Sequence, residues 1–365
     1  LSATADYGVI ERLLHRLAFN TVPVQVALAD IEDRFLADRN ARTAPARPVF
    51  VCALPRAGTT LLLNILAAAP EFATHSYRDM PFVMTPILWN RFSRPFRKPA
   101  VERERAHGDG VAIGYDSAEA FEEMLWLAFW QDKYRSDHIE VWHAEDRHAA
   151  FETFFDRHMR KLIAARCEDR DGPQPHRYLS KNNANIARLG LLPALYPDCR
   201  ILVPIRDPLS HARSLHRQHR RFRKIHAMDG FARRYMAALG HFEFGADIKP
   251  IRFAEISGDP EDPGFWLDYW IAAHDWIEQY LGDRVILVDY ATLCARPDRT
   301  LDRLAAALGI AVSDEVRAQA RLIRPPEDRA GSGDPDRSGA LREARGLYER
   351  LRRCAINPPA KALAG

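Results

Sequence analysis

The sequence predicts an α/β fold in which a parallel sheet is flanked by helices and carries a helical elaboration. Three observations predict it. Short continuous apolar runs at residues 49–54, 200–205 and 285–288 have the character of strands buried on both faces. Each run is followed by a turn and then by a stretch with helical spacing of its apolar residues. With 47% hydrophobic and 28% charged residues, the 365-residue chain can build a sizeable core and is not of disordered composition.

The elements follow in order. Residues 7–40 read as two helical pieces, one with Leu13, Leu14 and Leu17 on its apolar side and one with Val26, Ile31 and Phe35. After a Pro- and Ala-rich connector, 49–54 forms the first strand, with Cys52 buried in it, and 59–69 the first core helix. Residues 75–115, rich in Pro, Gly, Arg and aromatics, suggest an irregular excursion over a site. Helices are expected from a Ser117 cap through Trp130 and over 149–166. Residues 177–180 read as a strand, 185–192 as a short helix, 200–205 as the second clear buried strand and 209–224 as a long basic helix. Residues 226–260 show no clear pattern. A helix over 266–280, a third buried strand, a helix ending at Gly309, a Gly/Pro/Asp/Arg loop over 325–339 and a last helix over 340–353 complete the chain. The organisation expected is an N-terminal helical segment (1–48), one α/β domain (49–324) with a helical insert at about 75–170, and a C-terminal loop and helix (325–365) packed on that domain.

Lys and Arg total 52 against 49 Asp and Glu, so nothing in the overall charge attracts nucleic acid or a membrane, and any anion site must be local. Five widely spaced cysteines without a CxxC pair argue against a disulfide framework or a zinc knuckle. No metal motif stands out. No apolar run reaches membrane-spanning length and residues 1–6 show no leader pattern, so a cytoplasmic protein with no membrane partner is expected.

Two strand ends carry anion-binding features. At the first, Leu54-Pro55-Arg56-Ala57-Gly58-Thr59-Thr60 joins a strand to a helix. The amides and dipole of the helix start, Gly58 for close approach, the Thr59 and Thr60 hydroxyls and the Arg56 fork together suit a phosphate. The loop is P-loop-like, as in a nucleotide-binding fold, but Gly58 is followed by Thr and not Lys, which removes the lysine a triphosphatase needs. At the second, Arg206-Asp207-Pro208 follows a strand, with Ser214 in the helix that Pro208 begins. Two such sites opening on one crevice suit a donor with phosphates at both ends.

These blocks resemble the PAPS-dependent sulfotransferase family, closest to its broad bacterial and tyrosylprotein-like branch. PAPS is 3′-phosphoadenosine-5′-phosphosulfate. Pro55-Arg56-Ala57-Gly58-Thr59-Thr60 is similar to the family's 5′-phosphosulfate loop, with Ala57 where Ser is usual. Arg206-Asp207-Pro208 with Ser214 is similar to its 3′-phosphate signature. Residues 285–290 followed by Leu293, Pro297, Leu301 and Leu308-Gly309-Ile310 resemble its late strand and helix, with Ala291 where Glu is usual. The resemblance implies sulfuryl transfer from PAPS to a hydroxyl or amine acceptor (a small molecule, sugar or peptide), leaving PAP. Arg56, Ala57, Gly58, Thr59 and Thr60 would hold the 5′ end and Arg206 and Ser214 the 3′-phosphate. Lys181 would support transfer, and Asn182 and Asn183 would bind donor or shape the turn. The general base is left open: the family's position reads His75-Ser76-Tyr77-Arg78-Asp79, which gives Asp79 first and His75 second. His107 and Asp109 form a further polar loop candidate. Tyr77, Phe82, Trp89, Phe92, Tyr115, Trp126 and Trp130 either line an acceptor pocket or build core. Other readings are a nucleotide kinase or hydrolase, an inactive nucleotide-binding protein, and nucleic-acid binding through Arg213, Arg217, Arg220, Arg221, Arg223 and Lys224.

Overall fold

The computed structural model describes residues 22–35, 47–94, 103–104, 112–113, 117–169, 172–321, 323 and 338–359. Among the described residues the sheet holds five strands, β1 (Val49–Val51), β2 (Phe72–Ala73), β5 (Arg177–Lys181), β6 (Arg200–Ile205) and β7 (Val285–Asp289), all parallel, in the order β2-β5-β1-β6-β7. A separate antiparallel pair joins β3 (Arg103–Glu104) to β4 (Ala112–Ile113). The three strands expected from apolar runs are present. The stretch at 177–180 is a fully buried interior strand, and Lys181 is its last residue. Strand β2 was not foreseen, because two residues carry no periodicity.

Alternation along the strands divides the core. Val49, Val51, Leu179, Leu202 and Val288 face one layer, with α2 (Thr59–Ala67), α11 (Pro297–Leu308) and α12 (Asp314–Ala320). Phe50, Cys52, Tyr178, Ile201, Val203 and Leu287 face the other. That layer contains α4 (Glu123–Phe129), α5 (Ala149–Glu168), α7 (Pro208–Met228), α9 (Pro263–Glu278) and α13 (Ser338–Cys354). Phe50 and Ile201 are fully buried, and each such side chain contributes about 1.5–3 kcal/mol. Strands β1 and β6 are neighbours whose following helices, α2 and α7, leave to opposite faces. This is a topological switch point, where the carboxyl ends of a parallel sheet open a crevice.

Several elements differ from expectation. No helix starts at Ser117. Residues 117–120 run beside the 75–77 stretch, with Ser76 bridged to Ala118, and α4 begins only at Glu123. In α1 (Val22–Phe35) the buried positions among the described side chains are Gln25, Ala29, Glu32 and Asp33, while Ile31 is exposed. The reason is Lys161 of α5, fully buried, which meets Glu32 and Asp33 at 3.2 Å each. The excursion contains α3 (Pro86–Ser93), and the 185–192 helix is split into a 3-10 turn, Asn183–Arg188, and α6 (Leu191–Leu195). The unpatterned 226–260 region holds α8 (Gly230–Ala238), and α10 (Tyr290–Ala295) follows β7 directly. The sheet edge at β7 is closed by the chain after α13. Ile356 N–H donates to Leu287 O (2.9 Å), and the Asn357 amide exchanges bonds with the backbone of Asp289 (2.8 and 2.9 Å).

Candidate functional site

The turn after β1 is held in a conformation its sequence does not favour. Arg56 has φ 70°, rare for a residue with a side chain, and Gly58 has φ 108°. Two side chains from beyond β6 pin it. Arg206 Nη1 donates to Arg56 O (3.2 Å), and His211 Nε2 donates to Pro55 O (2.7 Å). His211 is fully buried, and burial holds its imidazole well below the usual range, so it is the neutral donor that this carbonyl needs. The Tyr290 ring closes the turn from above: a Cβ on Gly58 would lie 2.6 Å from Tyr290 Cδ2. Helix α2 then starts without a side-chain cap, and its first internal bond runs from Leu62 N–H to Gly58 O (3.1 Å). The amides of residues 59–61 therefore precede the helical ladder and present the positive end of the dipole.

At the end of β6, Asp207 caps α7 by accepting from Ser210 N–H (2.9 Å), and Pro208 occupies the first turn, as expected. Ser214 is buried in the second turn of the same helix. The buried Arg206 Nε has no hydrogen-bond partner. Burial lowers the Arg206 pKa most; Tyr290 opposes the shift, and the charges of Arg56 and Arg217 add to it. Arg206, with an unused donor and the charges of Arg56 and Arg217 acting on it, makes this corner favour an anion of more than one charge. Arg217, exposed on α7, acts on Arg206 through its charge and was read from the sequence only as part of the basic run.

The third strand end completes the corner. Lys181, nearly buried, lies in register with Val51 of β1. The turn after it is braced from α4: Glu123 accepts from Asn182 (2.7 Å) and Arg188 (2.7 Å), and Glu122 accepts from Asn185 (2.7 Å) and Tyr178 (2.9 Å). Arg188 is sandwiched between Trp126 and Trp142, 4.1 Å from each ring. Thr59 Oγ1 donates to Asn183 Oδ1 (3.2 Å), and Asn183 Nδ2 donates to Glu243 Oε1 (3.1 Å). Glu243 also faces His241, 3.6 Å away. Burial would raise the Glu243 carboxyl, but His241, Lys181 and Asn183 outweigh it and bring it down to about 2. Glu243 and His241 were missed because the 226–260 stretch has neither period nor motif.

Beside the turn lies a narrow cleft, open at its mouth. It is lined by Leu54, Pro55, Phe242, Phe244, Trp266 and Tyr269, with Asn183 and Glu243 at the loop end.

Asp79 and His75 are placed elsewhere, in a closed cluster beyond β2. Asp79 accepts from Ser76 N–H (2.8 Å) and from Arg166. Burial pushes its carboxyl up, yet Arg166 and His75 pull harder and leave it well below the usual range. His75 is 1% exposed and its Nε2 lies 3.2 Å from His158 Nε2. Neither residue lines the cleft. His107, Asp109 and Tyr115 fall outside the described residues, as does the piece of the N-terminal segment carrying Leu13, Leu14 and Leu17. Of the aromatics, Trp126 and Trp130 are core, and the Trp89 ring lies tilted against those of Phe82 and Phe92. The outer side of α7 exposes Arg217, Arg220, Arg221, Arg223 and Lys224, with Arg223 paired to Glu261 (3.2 Å). None of the five cysteines is in a disulfide. Among the described residues no group of three or more His, Cys, Asp or Glu is placed to hold a metal, and no helix is long and apolar enough to cross a membrane.

Fold and corner together define an α/β protein with a cationic corner at the switch point of its parallel sheet. The chain belongs to the sulfotransferase family, whose pattern it matches over residues 48–264. The match assigns the family and not a branch of it. Solved structures similar to it include a sulfotransferase from Mycobacterium tuberculosis H37Rv, at 14% identity over 81% of this chain and 76% of that one, TM-score 0.42. Another, from Alicyclobacillus acidocaldarius, has 15% identity over 88% and 100%, TM-score 0.41. A mouse sulfotransferase complexed with PAP has 15% identity over 78% and 66%, TM-score 0.34. No curated protein matches the chain by sequence.

Proposed function

We propose that the chain transfers a sulfuryl group from PAPS to a hydroxyl or amine acceptor. The observation that carries this reading is the cross-linking of the first anion turn to the second: Arg206, a residue of one, holds the backbone of Arg56 in the other. A ligand bridging both would meet one prebuilt surface. The amides at the start of α2, with Arg56, Thr59 and Thr60, hold the 5′-phosphosulfate, and Gly58 and Ala57 let it approach. Arg206 and Ser214 hold the 3′-phosphate. Lys181, at the adjoining strand end, supports the bridging oxygen as negative charge moves onto the departing phosphate. Asp79, committed to Arg166 and Ser76, is assigned no proton-transfer role, and neither is His75.

Calorimetric titration with PAP tests the reading. Binding is expected for the folded protein, weakened about 10- to 100-fold in Arg206→Ala, since a charged hydrogen-bond partner contributes about 1.5–3 kcal/mol. A folded protein that takes up no PAP, or binds ATP more tightly, would overturn it.

A further inference from the structure

We propose that the cleft beside the first anion turn is the acceptor site, that it takes an aromatic hydroxyl compound, and that Glu243 receives the hydroxyl proton. This rests on the donor reading above and adds the acceptor side to it.

Position is the first argument. Leu54 and Pro55 belong both to the cleft wall and to the chain entering the turn. From Thr59, the first residue of α2, two hydrogen bonds of 3.2 and 3.1 Å lead through Asn183 to Glu243. The carboxylate therefore stands between the place where the donor's 5′ end docks and the apolar interior of the cleft. Lining chemistry is the second. Phe242, Phe244, Ile248, Trp266 and Tyr269 offer rings and aliphatic carbon and few partners for a sugar's hydroxyls. The other charged lining residue, Lys249, is engaged with Arg135 O (2.7 Å) and lies over the Phe242 ring. Glu243 alone among the described lining residues is an acid, and its side chain keeps 24% exposure. Asn183 occupies one lone pair of Oε1; carboxylate oxygens have further sites for an acceptor O–H.

The step balances as follows. The acceptor oxygen forms the new O–S bond with a lone pair. The S–O bond to the donor phosphate breaks, and its electron pair leaves with PAP. The acceptor's proton passes to Glu243 and from there to water. In a loose transition state, of the kind described for phosphoryl transfer, that oxygen becomes strongly acidic only as the new bond forms, so a weakly basic carboxylate suffices.

The test uses the full chain, PAPS and 2-naphthol, with PAP titration on the same preparations. Wild type is expected to form 2-naphthyl sulfate. Glu243→Gln, which keeps the Asn183 bond, should lose about 10²- to 10⁴-fold in kcat with PAP affinity within about threefold. Glu243→Asp, which keeps the charge but withdraws it, should lose less than Glu243→Gln. Ile248→Trp should raise the 2-naphthol KM at least about tenfold and leave PAP binding alone, because it fills the cleft. A Glu243→Gln kcat within threefold of wild type, or an unchanged KM in Ile248→Trp, would overturn the proposal. Wild type that binds PAP and sulfates a sugar but no phenol would overturn the acceptor class. Failure of wild type to bind PAP would instead overturn the donor reading.

Discussion

Gly58→Ala isolates the geometry on which the proposed anion site depends. Two costs can be worked out separately. At φ 108° a residue with a Cβ is strained by about 1–2 kcal/mol. The new methyl also meets Tyr290 at 2.6 and 2.8 Å, far inside contact distance, and overpacking of this kind costs about 1–3 kcal/mol. The sum is about 2–5 kcal/mol. For a chain of 365 residues the unfolding entropy of about 2.1 cal/mol/K per residue gives roughly 0.8 kcal/mol/K, so Tm should fall by about 3–6 °C. Thermal melting of Gly58→Ala, Tyr290→Ala and the double variant measures the coupling directly. Removing the ring should recover the overpacking part and leave the backbone part. PAP affinity should fall with Gly58→Ala, since the turn must move. A Gly58→Ala protein melting within 1 °C of wild type and binding PAP equally well would refute the reasoning. So would strictly additive variants, because Tyr290 would then not be what closes over the turn.

Three further outcomes are expected. Arg56→Ala and Lys181→Ala should reduce turnover more than Arg206→Ala, which should chiefly weaken PAP; steady-state kinetics beside calorimetry separates the two. Asp79→Asn should lower Tm by breaking a buried ion pair, about 3–5 kcal/mol, while kcat stays near wild type; a selective loss of kcat would return Asp79 to the chemistry. Stability should fall as the medium is acidified below about 6.5. Burial lowers His158, His211 and His274, the last to about 3, so below 6.5 the unfolded chain takes up protons that the folded one refuses. For His274, stacked on Trp270 at 3.7 Å, the loss at pH 5 is about 2 kcal/mol. His274→Phe should flatten the Tm profile between pH 6.5 and 5, and an unchanged slope would contradict this.

What could be read from residue order alone was whatever repeats or punctuates. Strands buried on both faces read as short apolar runs, so 49–54, 200–205 and 285–288 stood out, and each holds or overlaps a strand of the sheet. Pro208 and Gly309 marked one helix start and one helix end for local steric reasons. The Arg56–Thr60 and Arg206–Ser214 blocks stood out because a turn proposed to hold an anion needs specific residue types at fixed spacing, and both do lie where a strand passes into a helix. Tertiary structure decided everything that depends on who meets whom across the chain. The excursion after β2 carries a base-like pair, yet folding turns Asp79 toward Arg166, 87 residues away. His211 resembles any histidine on a basic helix until it meets Pro55 O, 156 residues distant. The buried side of α1 is acidic because Lys161 arrives from another helix, which no apolar stripe can announce. Glu243 lies in a segment without period because its conformation is set by the walls around it. Local sequence encodes backbone preference and burial pattern. A carboxylate's environment is a sum over neighbours that only the folded chain assembles.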